Sequence, residues 1–425
     1  MSTIAVSETA ESTAVHGFWT RSVKAGLALM ILGVLVAGVL GILTLDWGDV
    51  TTVRLNLTTK SVFEIPAMLA VTLLGLVCAA TGAMLFAGLG QHRFGWVVSG
   101  GLVALVLGLI FWVFAIGHSA IPAESMVAIA VFSALPLIYG SLAGVLCERS
   151  GVINVAIEGQ LLAGAFAGAL FGSITGNIWF GIASAAIAGC LVTILLAFLA
   201  LRYAVDQVVL GVVLNILVLG LTGVIFDKLM AENTELNQPP SAPSIVIPIL
   251  SDIPVIGPAL FGQNLFVYLA FALVAVVFYL LFNTKWGLRT RSVGEHPAAA
   301  DTVGINVNGL RFMNVAIAGL ISGTGGAVFT IGQGSLFVKN MTVGLGFVAL
   351  AMLIVGRWNP LGALAGALLF GFSDSVQRYL SQTSGGFAIP SDFLAMLPYL
   401  VTIIAVAGLM GKVRAPAADG KPYIK

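Results

Sequence analysis

The 425-residue sequence predicts an all-α polytopic membrane protein with about eleven to twelve transmembrane helices, some of them broken or re-entrant. Three observations predict it. First, 59% of the residues are hydrophobic and only 9% charged, where a soluble domain carries roughly 25% charged residues to cover its surface. Second, the mean hydropathy is +1.06. Third, the apolar residues fall in runs close to the roughly 20 residues that cross about 30 Å of hydrocarbon as a helix.

The runs place spans at 25–45, 66–89, 95–117, 126–146, 152–172, 178–201, 206–226, 264–283, 311–332, 345–356, 360–380 and 393–411. Residues 1–24 hold Glu8 and Glu11 without a small-residue cleavage site. They read as a tail before a retained first span, not a removed signal. The run 345–356 is too short to cross and reads as a half-span joined to the next helix through Arg357–Pro360.

Basic residues orient the bundle. With the N-terminus inside, Arg21, Lys24, Arg93, Arg149, Arg202, Lys285, Arg289, Arg291, Arg311, Arg357, Lys412, Arg414, Lys421 and Lys425 fall on inner segments. Only Arg54, Lys60, Lys228, Lys339 and Arg378 fall outside. The positive-inside rule therefore puts both tails, 1–24 and 412–425, in the cytoplasm. Two connections are long: the proline-rich 227–263 outside, a lid or a tether, and 284–310 inside.

The net charge of +1 gives no reason to expect a nucleic-acid partner. Cys78, Cys147 and Cys190 are widely spaced, without disulfide or metal-ligand pattern. There is no nucleophile–base arrangement, hence no catalytic residue and no enzyme, and no Gly-rich phosphate loop ending in Lys-Ser or Lys-Thr. The chain is expected to bind no cofactor and to lack an energy source of its own. Glycines repeat every four residues at Gly164, Gly168 and Gly172, at Gly319 and Gly323, and at Gly362 and Gly366, a spacing that lets spans approach closely.

Polar residues inside spans are costly and therefore informative. The densest set is CERSGVINVAIEGQ, Cys147 to Gln160. Asn154 and Glu158, four apart, would share a helix face, with Glu158 about two turns in. Two readings stand: a broken helix lining a solute pathway, or an interhelical clasp. Glu148 and Arg149, at the inner boundary, read as a structural or cytoplasmic contact. A second set, Gln333, Lys339 and Asn340 in a glycine-rich stretch, is either a re-entrant gate or an outer loop. Asn215 and Asn314 are lone amides within spans, and His296 is a lone histidine on the inner loop.

The string ERSGVINVAIEGQLLAGAF (148–166) resembles the signature of nucleoside-type permeases of ATP-binding-cassette (ABC) importers, within the ribose and branched-chain amino-acid permease superfamily. GLRTRSVGEHPAAADTVGINV (287–307) resembles that family's cytoplasmic loop, and NMTVGLGFVALAMLIVGRWNPLGALAGALLFG (340–371) its C-terminal block. The likeness covers about 126–411 and leaves 25–125 as additional N-terminal helices. It implies a bacterial plasma-membrane subunit with several partners: a cytoplasmic ATPase subunit holding ATP and magnesium, a second, homologous permease, and an external solute-binding lipoprotein.

The solute pathway would include Asn154, Glu158, Gln160, Asn215, Gln333 and Asn340. The loop 284–310 would carry the coupling helix to the ATPase through Arg289, Arg291, Glu295, Ala298, Ala299, Asp301 and Gly304. Pro297 near a helix start and Gly304 at its end are compatible with that helix. A nucleoside also needs apolar surface for its base, and Phe166, Phe347 and Trp358 are candidates for stacking. Alternatives are a sugar or branched-chain amino-acid permease of the same superfamily, an ion-driven secondary transporter with Glu158 as the ion site, and a membrane scaffold.

Overall fold

The computed structural model describes residues 21–55, 62–89, 94–117, 120–383, 391–404 and 414–424. Most of the expected N-terminal tail, the end of the last expected span and parts of the C-terminal tail lie outside them. Two compact units emerge, residues 1–51 with 64–119, and residues 52–63 with 120–425.

The first unit has three apolar helices: α1 (Arg21–Val34), prolonged by a wider-wound turn Leu35–Leu43, α2 (Ala67–Phe86) and α3 (Phe94–Ile116). They enclose Val36, Leu45, Ala67, Val71 and Ala115, while Leu69, Leu73 and Leu76 face outward as lipid-facing side chains do.

The second unit carries α4 (Ala123–Arg149), α5 (Ile157–Thr175), α6 (Ile178–Arg202), α7 (Gln207–Ile225), α8 (Ile256–Phe261), α9 (Leu265–Asn283), α10 (Lys285–Glu295), α11 (Pro297–Thr302), α12 (Val307–Ala327), α13 (Leu345–Val355), α14 (Pro360–Thr383), α15 (Ser391–Ala395) and α16 (Leu397–Ile404). Among the described residues, nine helices are long and apolar enough to cross a membrane. The 24-residue α14, whose C-terminal part is polar, and the shorter apolar stretches Leu345–Val355 and Asp392–Ile403 account for the remaining expected spans.

The spans of α4, α5 and α12 are 72%, 78% and 78% buried, whereas those of α6, α7 and α9 are about a third buried. The core therefore sits on the first three, and the outer helices present Val209, Val213, Ile216 and Leu217 of α7 to the surroundings. Close approach at the centre follows from glycine: a Cβ at Gly164 of α5 would collide with the backbone of Gly323 in α12. Tyr139 of α4, fully buried, satisfies its hydroxyl on the carbonyl of Phe266 in α9, 2.9 Å away. Short strands also occur: Val53 pairs in parallel with Ile121, and Arg54 with Pro122.

Two sequence expectations are corrected here. The span expected at 152–172 starts as a helix only at Ile157, and residues 150–156 are an irregular break. Asn154 and Glu158 therefore do not share a helix face, and Glu158 lies in the first turn of α5, not two turns in. The cause is local: the backbone polar groups of the break find side-chain partners on neighbouring helices, so no helical ladder is needed to satisfy them.

Candidate functional site

The break after α4 is built by amides. Ile153 N donates to Gln207 Oε1 at 2.7 Å, and Asn215 Nδ2 donates to the Val155 carbonyl at 2.9 Å while its Oδ1 accepts from Gly159 N at 2.8 Å. Gln160 Nε2 donates to Asn154 Oδ1 at 2.7 Å, Asn154 Nδ2 returns a bond to Gln160 Oε1 at 3.3 Å, and Ser322 Oγ of α12 donates to the same Oε1 at 2.6 Å. Asn154, Gln160 and Ser322 are fully buried. Asn215 stands eight residues beyond the first residue of α7, so the start of α5 lies about 12 Å along that helix. The break is thus at membrane depth, where irregular backbone persists only when protein satisfies it.

Glu158 joins a second break to the first. Its carboxylate accepts from Thr342 Oγ1 at 2.5 Å, Gly344 N at 2.8 Å and Gly346 N at 2.7 Å. The two amides belong to the opening turn of α13, whose first N–H groups have no partner inside the helix. Glu158 also sits in the first turn of α5, so one negative charge meets the positive ends of two helices. The approach needs glycine, because a Cβ at Gly346 would collide with the backbone nitrogen of Glu158. The stretch 332–346 brings the chain back to Glu158, and α13 runs on from there.

The other end of α13 is held from α4. Trp358 Nε1 donates to Glu148 Oε2, while Arg149 Nε donates to the Trp358 carbonyl at 2.8 Å and its Nη2 to the Arg357 carbonyl at 3.4 Å. Arg357 and Trp358 both have φ of 54°, a left-handed conformation that non-glycine residues adopt at a cost. The half-helix is therefore fastened at its N-terminus by Glu158 and at its C-terminus by Glu148 and Arg149. Ser322, Gln207, Thr342 and Gly346 were not singled out by sequence reasoning. Their signal lies in hydroxyls, an amide and a glycine on apolar segments, too ordinary a pattern to stand out alone.

The other expected residues separate into groups. Gln333 and Asn340 are exposed on 333–344 and join no bond of the amide cluster. Asn314 is buried and donates to Thr290 Oγ1 at 3.2 Å. Phe166 packs edge-on against Phe337, 5.2 Å between ring centres, and Trp358 is buried at the α13–α14 turn, whereas Phe347 is 45% exposed on α13. The segment 227–263 is tied to 333–344 by Lys339 with Asp227 and by Asn237, which bonds both backbone groups of Phe337.

On the other side, Arg289, Glu295, Ala298, Ala299 and Gly304 are exposed on or beside α10 and α11, and Asp301 is half-buried. Arg291 differs from them, lying half-buried with its guanidinium 5.2 Å from the Phe282 ring centre. Arg149 approaches the same ring at 5.9 Å. Among the described residues no group of His, Cys, Asp or Glu is arranged to hold a metal.

The family model described as the permease component of the branched-chain amino acid transport system matches residues 125–406. The chain is 40% identical over 299 residues to the guanosine ABC transporter permease protein NupQ of Bacillus subtilis, covering 69% of this chain and 94% of that one. It is 39% identical to the nucleoside ABC transporter permease protein NupC of Lactococcus lactis, covering 68% of this chain and 93% of that one. A putative glucose ABC transporter permease protein of Haloferax volcanii, TsgC13, is 34% identical, covering 58% and 75%. No solved structure matches the chain. Both broken segments and the turn that closes α13 fall inside the matched region, and the chain belongs to the permease-component family of the branched-chain amino acid transport system.

Proposed function

We propose that this multi-pass membrane protein is the pathway-forming subunit of an ABC importer for nucleosides, driven by separate ATPase subunits. The observation that carries the proposal is the 40% and 39% identity to permeases named for guanosine and nucleosides, over nearly their whole length. In this reading the chain is non-catalytic and binds no cofactor, and ATP and magnesium belong to a cytoplasmic ATPase. A second, homologous permease and an external lipoprotein complete the importer in a bacterial plasma membrane, with both termini cytoplasmic.

The geometry supports this division of labour. A nucleoside is neutral, so its pathway needs amides, hydroxyls and apolar surface and no counter-charge. Glu158 is already engaged by three donors at two helix ends, which favours a structural charge over an ion-coupling site. Asn154, Glu158, Gln160 and Asn215 then build the wall of the pathway, with Gln333 and Asn340 at its outer mouth and Phe347 offering its ring. Residues 284–310 are the coupling loop, with 412–425 as the cytoplasmic tail, 126–411 as the permease core and 25–125 as added helices. Exposed Ala298 and Ala299 of α11 meet the ATPase. Gly294, packed on the carbonyl of Arg149, passes the displacement to the α13–α14 turn. Tilting α13 about its two fastenings would open the pathway alternately to each side.

The test is reconstitution with the co-encoded ATPase, second permease and lipoprotein, followed by uptake of guanosine, other nucleosides, ribose, glucose and leucine. ATP-dependent nucleoside uptake is expected. Uptake by the chain alone, or uptake of glucose without nucleosides, would overturn the proposal.

A further inference from the structure

Residues 414–424 belong to neither the coupling loop nor the broken helix, yet touch both. Ala418 N donates to the Gly294 carbonyl at 2.9 Å, and Ala417 N to Glu295 Oε2 at 3.2 Å, so the C-terminal segment is bonded to the last turn of α10. Arg311 of α12 holds the Lys421 carbonyl through Nη1 at 2.9 Å and the Ser150 carbonyl, at the start of the break, through Nε at 3.0 Å. Gly420, at φ 71°, lies where a Cβ would meet Ile153 Cδ1 at 2.6 Å. Tyr423 packs on the small cluster of Val293, Ala300 and Val307 that seats α11. Ala418 is buried. A free tail would have none of these contacts.

We infer that residues 414–424 are a strap that positions α10 and α11 on the α4–α5 break, so that the C-terminal segment carries coupling without touching solute or nucleotide. The inference rests on the reading of 284–310 as the coupling loop. Fastened on three sides, the strap makes α10, α11 and the base of α12 move with the break. Unfastened, α11 would shift against the bundle and the displacement would dissipate.

The strap carries a release. Asp419 is half-buried beside Glu148 and Cys147 of α4 and Arg311 of α12, with Lys421 on its own segment and Glu295 of α10 bonded two residues before it. Its Oδ1 and Arg311 Nη2 are both buried without a hydrogen-bond partner. Burial first, against the partial relief given by the Gly420 backbone, Glu148 and Arg311, raises the Asp419 carboxyl from 3.8 to about 7. The docked strap therefore holds a proton between the facing Asp419 and Glu148 carboxyls that the released strap gives up. Docking is strongest at acidic pH and weakens as pH rises from about 4 through about 7.

A nitroxide on Ile424→Cys reads docking directly, because that side chain is exposed at the end of the strap. Its spectrum is expected to be immobilised at a pH of about 5.5 and mobile at about 8.5, with Asp419→Asn immobilised at both. Gly420→Val, which forces a side chain onto a positive φ against Ile153, is expected to be mobile at both. In the assembled importer Gly420→Val, and a chain ended after Val413, are expected to lower solute-stimulated over basal ATP hydrolysis by at least about fivefold with basal hydrolysis kept. A label equally mobile in all variants overturns the strap itself. Normal stimulation in Gly420→Val despite a mobile label overturns its part in coupling. Should the shortened chain fail to assemble, Gly420→Val and the label decide. The spectra need no solute, so they separate this inference from the assignment of nucleoside import.

Discussion

At the scale of single residues, the buried polar groups are valuable for what they hold. Glu158 accepts three hydrogen bonds, and a hydrogen bond to a charged group contributes about 1.5–3 kcal/mol. Glu158→Gln presents an N–H₂ where only donors wait, so at least one amide of α13 loses its partner. Uptake is expected to fall about tenfold, with lower thermal stability in detergent; unchanged values of both would remove Glu158 from the mechanism. Asn154 and Gln160 exchange two bonds. Either change to Ala should cost about 1–3 kcal/mol, and the double change less than the sum, because the orphaned amide disappears with its partner. Sequence spacing instead paired Asn154 with Glu158 on one helix face: four apart implies a shared face only if the helix is continuous, and α5 begins at Ile157. Nothing in Asn154 alone announces that its amide closes on Gln160, since that bond depends on a break stabilised by Gln207 and Asn215 from another helix.

At the scale of elements, α13 is a half-helix held at both of its ends. The shortness of the 345–356 run was legible as a half-span because length is read directly from hydropathy. What fastens it was not legible, because Glu158, Glu148 and Arg149 are some two hundred residues away, and Glu158 and Arg149 pair with backbone groups that leave no mark in sequence. Arg149→Lys keeps the charge but loses the fork that holds both the Arg357 and Trp358 carbonyls. The expected result is normal assembly with solute-stimulated hydrolysis reduced about tenfold, since an untethered left-handed turn relaxes. For α11, a proline at Ala299 would be a poor probe. The helix begins at Pro297, so Ala299 lies in the first turn, where a missing N–H is tolerated. Ala299→Glu, on an exposed site, should leave folding within about 0.5 kcal/mol and weaken capture of the ATPase in a pull-down. Undiminished capture and stimulation would place the ATPase contact elsewhere.

At the scale of the whole molecule, every functional statement depends on which side of the bilayer each loop occupies. Charge decides this in sequence: Lys285, Arg289 and Arg291 crowd the 284–310 connection, while 227–263 carries Asp227, Glu232, Glu235 and Asp252 against Lys228 alone. Positive residues in short loops are retained on the cytoplasmic side, so the two connections should lie on opposite faces. Both offer sites for a single cysteine: Val303 is 75% exposed beside α11, and Ile249 is 82% exposed in the proline-rich segment. The native thiols give little background, since Cys78 and Cys147 are buried and Cys190 is half-buried. A membrane-impermeant maleimide is expected to label Ile249→Cys in intact cells, and Val303→Cys only once the membrane is opened. The first unit adds an internal check. Its three helices carry the chain across an odd number of times, so Trp47→Cys, 83% exposed after the first span, should label with Ile249→Cys and not with Val303→Cys. If Val303→Cys instead reacts from outside, the loop that Gly294 and Ala418 bind together faces away from any cytoplasmic ATPase. Neither the import mechanism nor the strap survives that result, whatever the sequence identity to nucleoside permeases.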